Sequence, residues 1–255
     1  MLAYIQDRIR NIIINRRHPE LQSGKILDFE HVCQLHNAYS RNHTIENPIS
    51  PVGKKEIGYS GSNAELVDIF KGIELGTWAI DSRTIDWLWD FLSTSKPNAI
   101  LEFGSGSSTC LFCAWMQKYN KSGIVISVEQ HRSEAEKTSA RLREHGIASN
   151  GRVLCMDTDA AGRIIVDCDK ILHELNGRKI DMLFSDGPAG PVGCRANTLT
   201  DSMPLFAQSG HWFLHDSYRI GELGIIKEWE NVKGVAVGGI LASGNGLGIG
   251  RWDLQ

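Results

Sequence analysis

Residues 99–109 read Ala-Ile-Leu-Glu-Phe-Gly-Ser-Gly-Ser-Ser-Thr, an apolar run that breaks into a glycine-rich turn. Leu111, Phe112 and Trp115 follow at helical spacing. This order predicts a buried strand, a tight turn and the start of a helix. A helix N-terminus offers unpaired N–H groups, and glycine has no Cβ to keep a ligand away. The turn is therefore suited to bind a nucleotide-like ligand.

Bulk composition limits the class of protein. The 255 residues, 42% of them hydrophobic, suit one α/β domain with an added segment, or two small domains. The net charge of -3 and the lack of a long basic run disfavour nucleic-acid binding. No apolar run approaches the roughly 20 residues of a membrane span, and the first residues lack the pattern of a signal peptide. We therefore expect a cytoplasmic protein with no membrane contact.

The first 95 residues are predicted to form helical pieces joined by loops. Apolar residues at helical spacing predict a first helix over residues 2–13, and Asp28 is a candidate cap for a second. Residues 62–65 have the pattern of a capping box, and a further helix is predicted over residues 82–92. We expect residues 1–95 to form a helical cap that selects the substrate, and residues 96–255 to form the core.

The pattern changes at about residue 97 to alternating strands and helices. Strands are predicted at residues 99–103, 124–128, 152–156, 180–185 and 211–215, and helices at 109–119 and 133–144, the second with Ser133 and Glu136 as a capping box. Residues 235–241 and 247–252, joined by a glycine-rich turn, predict an antiparallel pair. The expected fold is an α/β, Rossmann-like doubly wound sheet, mostly parallel, with an antiparallel C-terminal strand pair.

Acidic residues lie at or just after the ends of all five predicted strands. They are Glu102, Glu129, Asp157, Asp186 and Asp216, the last preceded by His215. In open α/β sheets, ligands bind beyond the carboxyl ends of the strands, so these groups are expected at one rim. Glu102 directly before the turn would repel a pyrophosphate but attract an ammonium or a sulfonium. Thr109 also stands where a dinucleotide site has its third glycine, which counts against that cofactor.

The segment Glu102-Phe-Gly104-Ser-Gly106 resembles the first motif of class I S-adenosylmethionine-dependent methyltransferases. The later motifs follow in a similar order, and the resemblance covers roughly residues 97–255. It implies S-adenosylmethionine as cofactor and methyl transfer, which we expect to act on oxygen of a small-molecule acceptor. Two alternatives stay open, an NAD-dependent oxidoreductase and a non-catalytic domain that keeps the methyltransferase fold.

The resemblance also implies roles for single residues. Those expected to hold the methionine end of the cofactor are Glu102, Gly104, Ser105, Gly106 and Ser108. Glu129, followed by Gln130, would bind the ribose hydroxyls, and Asp157 and Thr158 would border the adenine. Asp186 would lie beside the methionine amino group and the reacting methyl.

A hydroxyl acceptor has to lose a proton, and three side chains near the rim are candidate bases. They are Asp186, His215 and Asp216, and of these His215 titrates closest to neutral pH. The alternative is that His215 has a structural role only. Arg195, Tyr218 and Arg219 are expected near the same rim, where they could meet an anionic or sugar-like acceptor.

A divalent cation is a further open alternative. Some catechol-type O-methyltransferases hold one through an Asp after the fourth strand and an Asp-Asn pair after the fifth. Asp186 and Asp216 match the two acids, but Ser217 stands where the Asn would be. Two carboxylates can hold Mg²⁺ if water completes the shell.

Six scattered cysteines include a lone C-x-x-C, Cys110 and Cys113. Without a second pair it favours packing over a zinc or redox site. An assembly of identical chains is left open.

Overall fold

The computed structural model describes residues 14, 16–40, 58–73, 75 and 79–254. Its centre is a sheet of eight strands in the order β1-β7-β8-β6-β5-β2-β3-β4. The strands are β1 (Ile26–Leu27), β2 (Ala99–Phe103), β3 (Ile124–Glu129), β4 (Gly151–Cys155), β5 (Ile180–Ser185), β6 (Phe206–His215), β7 (Val235–Leu241) and β8 (Leu247–Asp253). The five strands from β6 to β4 run parallel, so their carboxyl ends share one edge of the sheet.

Helices cover both faces of this sheet. They are α1 (Phe29–Ser40), α2 (Ala64–Ile69), α3 (Ser82–Ser95), α4 (Ser107–Tyr119), α5 (Arg132–Glu144), α6 (Cys168–Leu175), α7 (Asn197–Thr200) and α8 (Ile220–Glu230). Each face has its own apolar core. Leu101 and Phe103 of β2 point into one core, and Ile100 points into the other. This alternation follows from the two-residue period of a strand, and β2 is wholly buried as a result.

The N-terminal segment joins the same sheet. β1 pairs antiparallel with β7 at the sheet edge, and the Tyr218 hydroxyl donates to the Leu21 carbonyl at 2.8 Å. Asp81 caps α3 by accepting from the N–H groups of Arg83 and Thr84. It also accepts at 2.7 Å from the Ser243 hydroxyl in the β7–β8 turn. The proposed boundary between residues 1–95 and 96–255 stays a prediction.

The predicted architecture is confirmed, including the antiparallel pairing of β7 with β8. Two predicted capping boxes are wrong. Asn63, not Ser62, caps α2, because its side chain accepts from the Glu65 N–H at 3.0 Å. α5 begins at Arg132 after His131, one residue before Ser133, because the His131 carbonyl already accepts from Glu134 and Ala135.

Asp28 does cap α1, since its carboxylate accepts from the His31 N–H at 2.9 Å. The predicted helix over residues 2–13 lies outside the described residues. No helix of the described part is both long enough and apolar enough to cross a bilayer. Cys110 and Cys113 are buried free thiols in α4, as expected for packing.

A backbone contact joins the tips of β2 and β5. Gly104 has φ +89°, and a Cβ placed on it would lie 2.9 Å from the amide nitrogen of Gly187. A Cβ on Gly187 would lie 2.7 Å from Gly104 Cα. Only two glycines allow the turn after β2 and the loop after β5 to approach this closely.

We predict that Asp81→Ala lowers the free energy of unfolding by about 1–2 kcal/mol, because it removes a helix cap. It also removes the bond to Ser243. Asp167→Ala is the matched control, since Asp167 caps α6 by accepting only from the Lys170 N–H. Urea denaturation should show the larger loss for Asp81→Ala. An equal loss in both variants would contradict a docking role for Asp81.

We predict that Gly104→Ala destabilises the protein by about 1–3 kcal/mol, because a side chain there is strained in φ and collides with backbone. Gly106→Ala is the control, since a Cβ at Gly106 meets nothing within 4 Å. Its loss in thermal or urea denaturation should stay below about 1 kcal/mol. Similar melting curves for Gly104→Ala and the wild type would rule out a tight contact with Gly187.

Candidate active site

The glycine-rich turn between β2 and α4 closes around the carboxylate of Glu102. The Thr109 hydroxyl donates to Glu102 Oε2 over 2.5 Å and accepts the Gly106 N–H at 2.9 Å. Thr109, which stands in place of a third glycine, therefore links the first turn of α4 to the acid next to the end of β2. The sequence contained Thr109, but we read it only as evidence against a dinucleotide.

Glu102 is fully buried, and its Oε1 makes no hydrogen bond of good geometry with any described residue. Burial raises the pKa of Glu102 to about 7, against the opposing effect of the hydroxyls of Ser108, Thr109 and Ser127. The negative charge of Asp186 adds to the rise. A buried carboxylate oxygen without a donor is costly unless a ligand supplies one.

Glu129 at the end of β3 is bound to the same turn. Its Oε2 accepts from the Ser105 N–H at 2.9 Å and from the Ser105 hydroxyl at 3.1 Å. Its Oε1 accepts from the His131 N–H at 3.0 Å. Hydrogen bonds thus link Glu102, Glu129, Ser105 and Gly106 into one group around the turn.

Gln130 contacts the loop after β5, and its contact with a cofactor stays a prediction. Its amide nitrogen donates to the Ala189 carbonyl at 3.0 Å, and its amide oxygen accepts from the Ala189 N–H at 2.8 Å. These two hydrogen bonds join the loop after β5 to the residue that follows β3.

Asp157 and Thr158 follow β4 and are exposed. Thr158 forms an isolated bridge with Ile164, and the Asp157 carbonyl accepts from the Ile165 N–H. The neighbouring Met156 N–H donates to the Glu129 carbonyl at 3.0 Å. Asp157 therefore lies at the end of the strand next to the one that ends in Glu129. Among the described contacts, none joins the Asp157 carboxylate to the other acids.

The tips of β5 and β6 carry a second group, formed by Asp186, His215 and Asp216. His215 Nδ1 lies 2.7 Å from Asp186 Oδ1 and 3.8 Å from Asp216 Oδ1. Burial lowers the pKa of His215, but the charges of Asp186 and Asp216 outweigh it and raise the pKa to about 9. The three candidate bases are therefore together, and His215 is held in its protonated form at neutral pH.

Arg195 lies behind this group and is 5% exposed. Its Nη2 lies 3.3 Å from Asp216 Oδ2 and 3.7 Å from Asp186 Oδ1, and its Nη1 lies 3.7 Å from Glu222 Oε1. Its guanidinium also donates to the carbonyls of His215 and Pro188. Burial opposes ionisation of Asp216, but His215 and Arg195 hold its pKa below the usual range.

Asp216 is fixed in an uncommon backbone conformation. Its φ is +62°, a left-handed value that costs energy for any residue with a Cβ. The β7–β8 turn holds it there, because the Asn245 side chain donates to Asp216 Oδ1 at 2.8 Å and the Gly246 carbonyl accepts from the Ser217 N–H. We did not predict Asn245 or Glu222 from the sequence. The spacing of Arg219 and Glu222, three residues apart on a helix, was the one available signal for Glu222.

A cavity of about 400 Å³ lies between the loop after β5 and the start of α8, and Arg195 and Arg219, which contact Asp216, line it. Its wall combines apolar side chains with the three charged ones, Arg195, Arg219 and Glu222. A larger cavity of about 780 Å³ lies at the other end of the sheet, against Asn98 before β2 and Asp181 at the start of β5. It is remote from the strand tips, so we assign the chemistry to the smaller cavity.

The donor set does not fit the divalent cation that two acids would suggest. One atom each of Asp186, His215 and Asp216 lie within 4.8 Å of one another. The hydroxyl of Ser217, where a third ligand is expected, instead donates to the Leu214 carbonyl at 2.6 Å and accepts from the Gly248 N–H at 2.9 Å. Arg195 already provides a positive charge between the two acids. We therefore derive no step through a metal.

Known proteins that resemble this chain are methyltransferases, which agrees with the acids at the strand tips. Residues 101–217 match a family model described as a methyltransferase domain. No curated protein matches the chain. Three solved structures share the fold at low sequence identity, and all three are methyltransferases.

The first is the O-methyltransferase TomG of Streptomyces achromogenes, involved in tomaymycin synthesis and solved with S-adenosylmethionine. It is 14% identical with a TM-score of 0.54, over 77% of this chain and 92% of that one. The second is the methyltransferase PaMTH1 of Podospora anserina, solved with S-adenosylhomocysteine. It is 14% identical with a TM-score of 0.54, over 90% of this chain and 99% of that one. The third is an O-methyltransferase of Bacillus cereus, also solved with S-adenosylhomocysteine. It is 10% identical with a TM-score of 0.51, over 94% and 97% of the two chains.

The family match favours methyl transfer over the oxidoreductase alternative. The motif order, the strand order and the acids at the strand tips agree with it. By this match, residues 101–217 form a methyltransferase domain, which is the function that the motif order implies.

Proposed function

We propose that this methyltransferase acts on a hydroxyl oxygen of a small molecule, with S-adenosylmethionine as methyl donor. The observation that carries the proposal is the buried Oε1 of Glu102, which makes no hydrogen bond of good geometry with any described residue. It lies under a turn that is open above Gly106, where a Cβ would meet no atom within 4 Å. The ammonium group of the donor's methionine end matches this oxygen in charge and in hydrogen bonding.

Glu129 is assigned to the ribose. An ionised carboxylate has about four acceptor sites, and three hydrogen bonds from Ser105 and His131 leave capacity for a further donor. Asp157 and Thr158, one strand further out and exposed, are assigned to the border of the adenine. Gln130 is assigned to the loop after β5 instead, because its amide is occupied by Ala189.

S-adenosylmethionine, when bound, supplies a methyl group on a positively charged sulfur. His215 takes the proton from the acceptor hydroxyl, and Asp186 orients its ring through Nδ1. A base placed in this way contributes about 10²–10⁴-fold, and the positioning of two reactants contributes more. Asp216 stabilises the protonated ring at a distance of 3.8 Å.

The cavity of about 400 Å³ is assigned to the acceptor. Its volume suits a small molecule, and its wall mixes apolar with charged groups, as ligand sites commonly do. The net charge of -3 is consistent with an acceptor other than nucleic acid. We place the reaction in the cytoplasm, because all six cysteines are free thiols and reducing compartments keep them so.

We predict that S-adenosylhomocysteine binds in calorimetry, and that its affinity rises about tenfold from about pH 6 to about pH 8. The reason is that Glu102, with a pKa of about 7, loses its proton over this range and then attracts the ligand's ammonium group. Glu102→Gln should bind more weakly at the higher pH and show a flat profile.

Glu129→Gln is the control, since it should bind more weakly yet keep the slope with pH. No heat at millimolar S-adenosylhomocysteine would overturn the proposed function. Binding that is independent of pH in the wild type would overturn only the role of Glu102.

We predict that methyl transfer to hydroxylated aromatics such as catechol or phenol becomes faster as the pH rises to about 9, because His215 has to be neutral to take a proton. At saturating S-adenosylmethionine, His215→Gln should lower the rate by about 10²–10⁴-fold and remove the part of the pH dependence that belongs to His215. Transfer of labelled methyl from S-adenosylmethionine measures both. S-adenosylhomocysteine affinity in His215→Gln checks that the fold is intact, and an undiminished rate in that variant would exclude His215 as the base.

A further inference from the structure

Arg195 has an environment that surface arginines lack. Its side chain is 6% exposed and faces three acids within 4 Å, namely Asp186, Asp216 and Glu222. Two backbone carbonyls complete the set of acceptors, those of Pro188 and His215. A buried arginine with so many fixed acceptors has one orientation, because the guanidinium is planar and its donors diverge at fixed angles.

We propose that Arg195 is a built-in cation that occupies the position of a divalent metal between the tips of β5 and β6, so that the described residues hold no metal ion at these tips. The role of Arg195 in catalysis rests on the proposed function. The absence of a metal ion is argued from the geometry of Asp186 and Asp216 alone. Arg195 acts as a positioning residue, since it holds both acids and the loop carbonyls.

The first argument is the use of the carboxylate oxygens. Asp186 Oδ1 is bound to His215 Nδ1 at 2.7 Å. Asp216 Oδ1 accepts from Asn245 at 2.8 Å, and Asp216 Oδ2 is shared between Arg219 Nη1 at 2.9 Å and Arg195 Nη2 at 3.3 Å. Mg²⁺ demands oxygen ligands at about 2.0–2.1 Å in octahedral order. It would have to displace the donors of Asp216, both of whose oxygens are occupied, to bind that acid.

The second argument is the local charge. Two arginines, Arg195 and Arg219, face the three acids Asp186, Asp216 and Glu222. Each of the three acids therefore has a guanidinium within 4 Å without an ion. A divalent cation would bring two further positive charges next to the guanidinium of Arg195, which cannot lose its proton to relieve the repulsion.

The third argument is the missing ligand. Ser217 stands where the resemblance implies an asparagine ligand, and its hydroxyl is taken up by two backbone groups of β6 and β8. Ser217 is fully buried, so its hydroxyl cannot turn toward the two acids without breaking both of these hydrogen bonds. The alternative is a cation held by Asp186, His215 and Asp216, whose ligand atoms lie within 4.8 Å, and it is an outcome of the test.

The test is titration of the full chain with Mn²⁺, followed by electron paramagnetic resonance, which detects the free ion. We expect the wild type to bind no stoichiometric Mn²⁺ at millimolar concentration. Arg195→Met removes the charge at similar volume and leaves Asp186 and Asp216 uncompensated. It should bind one Mn²⁺ at least about tenfold more tightly than the wild type.

Adding Asp216→Asn to Arg195→Met should abolish the gained site. Arg219→Met is the matched control, because it removes an arginine from Asp216 but leaves Arg195 in place, and it should gain no site. Arg195→Lys keeps a charge and should likewise bind no Mn²⁺. A merely structural role for Arg195 would change stability in these variants without creating an ion site.

Stoichiometric Mn²⁺ binding by the wild type, lost in Asp216→Asn, would overturn the inference. So would a folded Arg195→Met that binds no Mn²⁺. If Arg195→Met does not fold, the wild type and Arg195→Lys decide the question. Calorimetry with S-adenosylhomocysteine in the presence of a chelator is run beside them. Failure of that binding would overturn the proposed function but leave the result on Arg195 intact.

Discussion

The contact between Gly104 and Gly187 is the constraint on which the site depends. Parallel pairing brings the carboxyl ends of β2 and β5 to one edge, and the Asp186 N–H donates to the Phe103 carbonyl at 2.8 Å. Two glycines then let the backbones meet with no side chain between them. The acid under the turn and the acid of the second group become neighbours, which is why Asp186 contributes to the high pKa of Glu102.

Two polar groups with different tasks result from this arrangement. Around Glu102 and Glu129 the donors are hydroxyls and backbone N–H groups, so one acid stays poorly satisfied and open to a ligand. Around Asp186 and Asp216 the donors are cations, so both carboxylates are fixed and the pKa of Asp216 is held below its usual range. Neighbouring carboxylates whose surroundings shift their titration in opposite directions are typical of working sites.

The strands were predictable where burial alone decides them. β2 and β5 match the expected bounds because both are apolar runs buried on two faces. β6 begins five residues earlier than expected, because Phe206 pairs with Ile180 of β5 and the polar residues Ser209 and Gly210 pair with the antiparallel β8. α8 was not predicted because Gly221 and Gly224 weaken its helical pattern, and the packing of Leu223, Ile226 and Trp229 outweighs that propensity. The acids of the site follow from strand ends, whereas Arg195 and Asn245 reach them from distant loops that no local pattern connects.

The two-residue strand β1 has a consequence for the whole chain. It lies outside β7 and satisfies part of an edge whose N–H and C=O groups would otherwise face solvent. The short strand therefore limits the pairing of that edge with another copy of the chain. A shortened chain that lacks it would keep every residue of the polar groups, yet it would expose β7 as a template on which further copies could add strands and build aggregates.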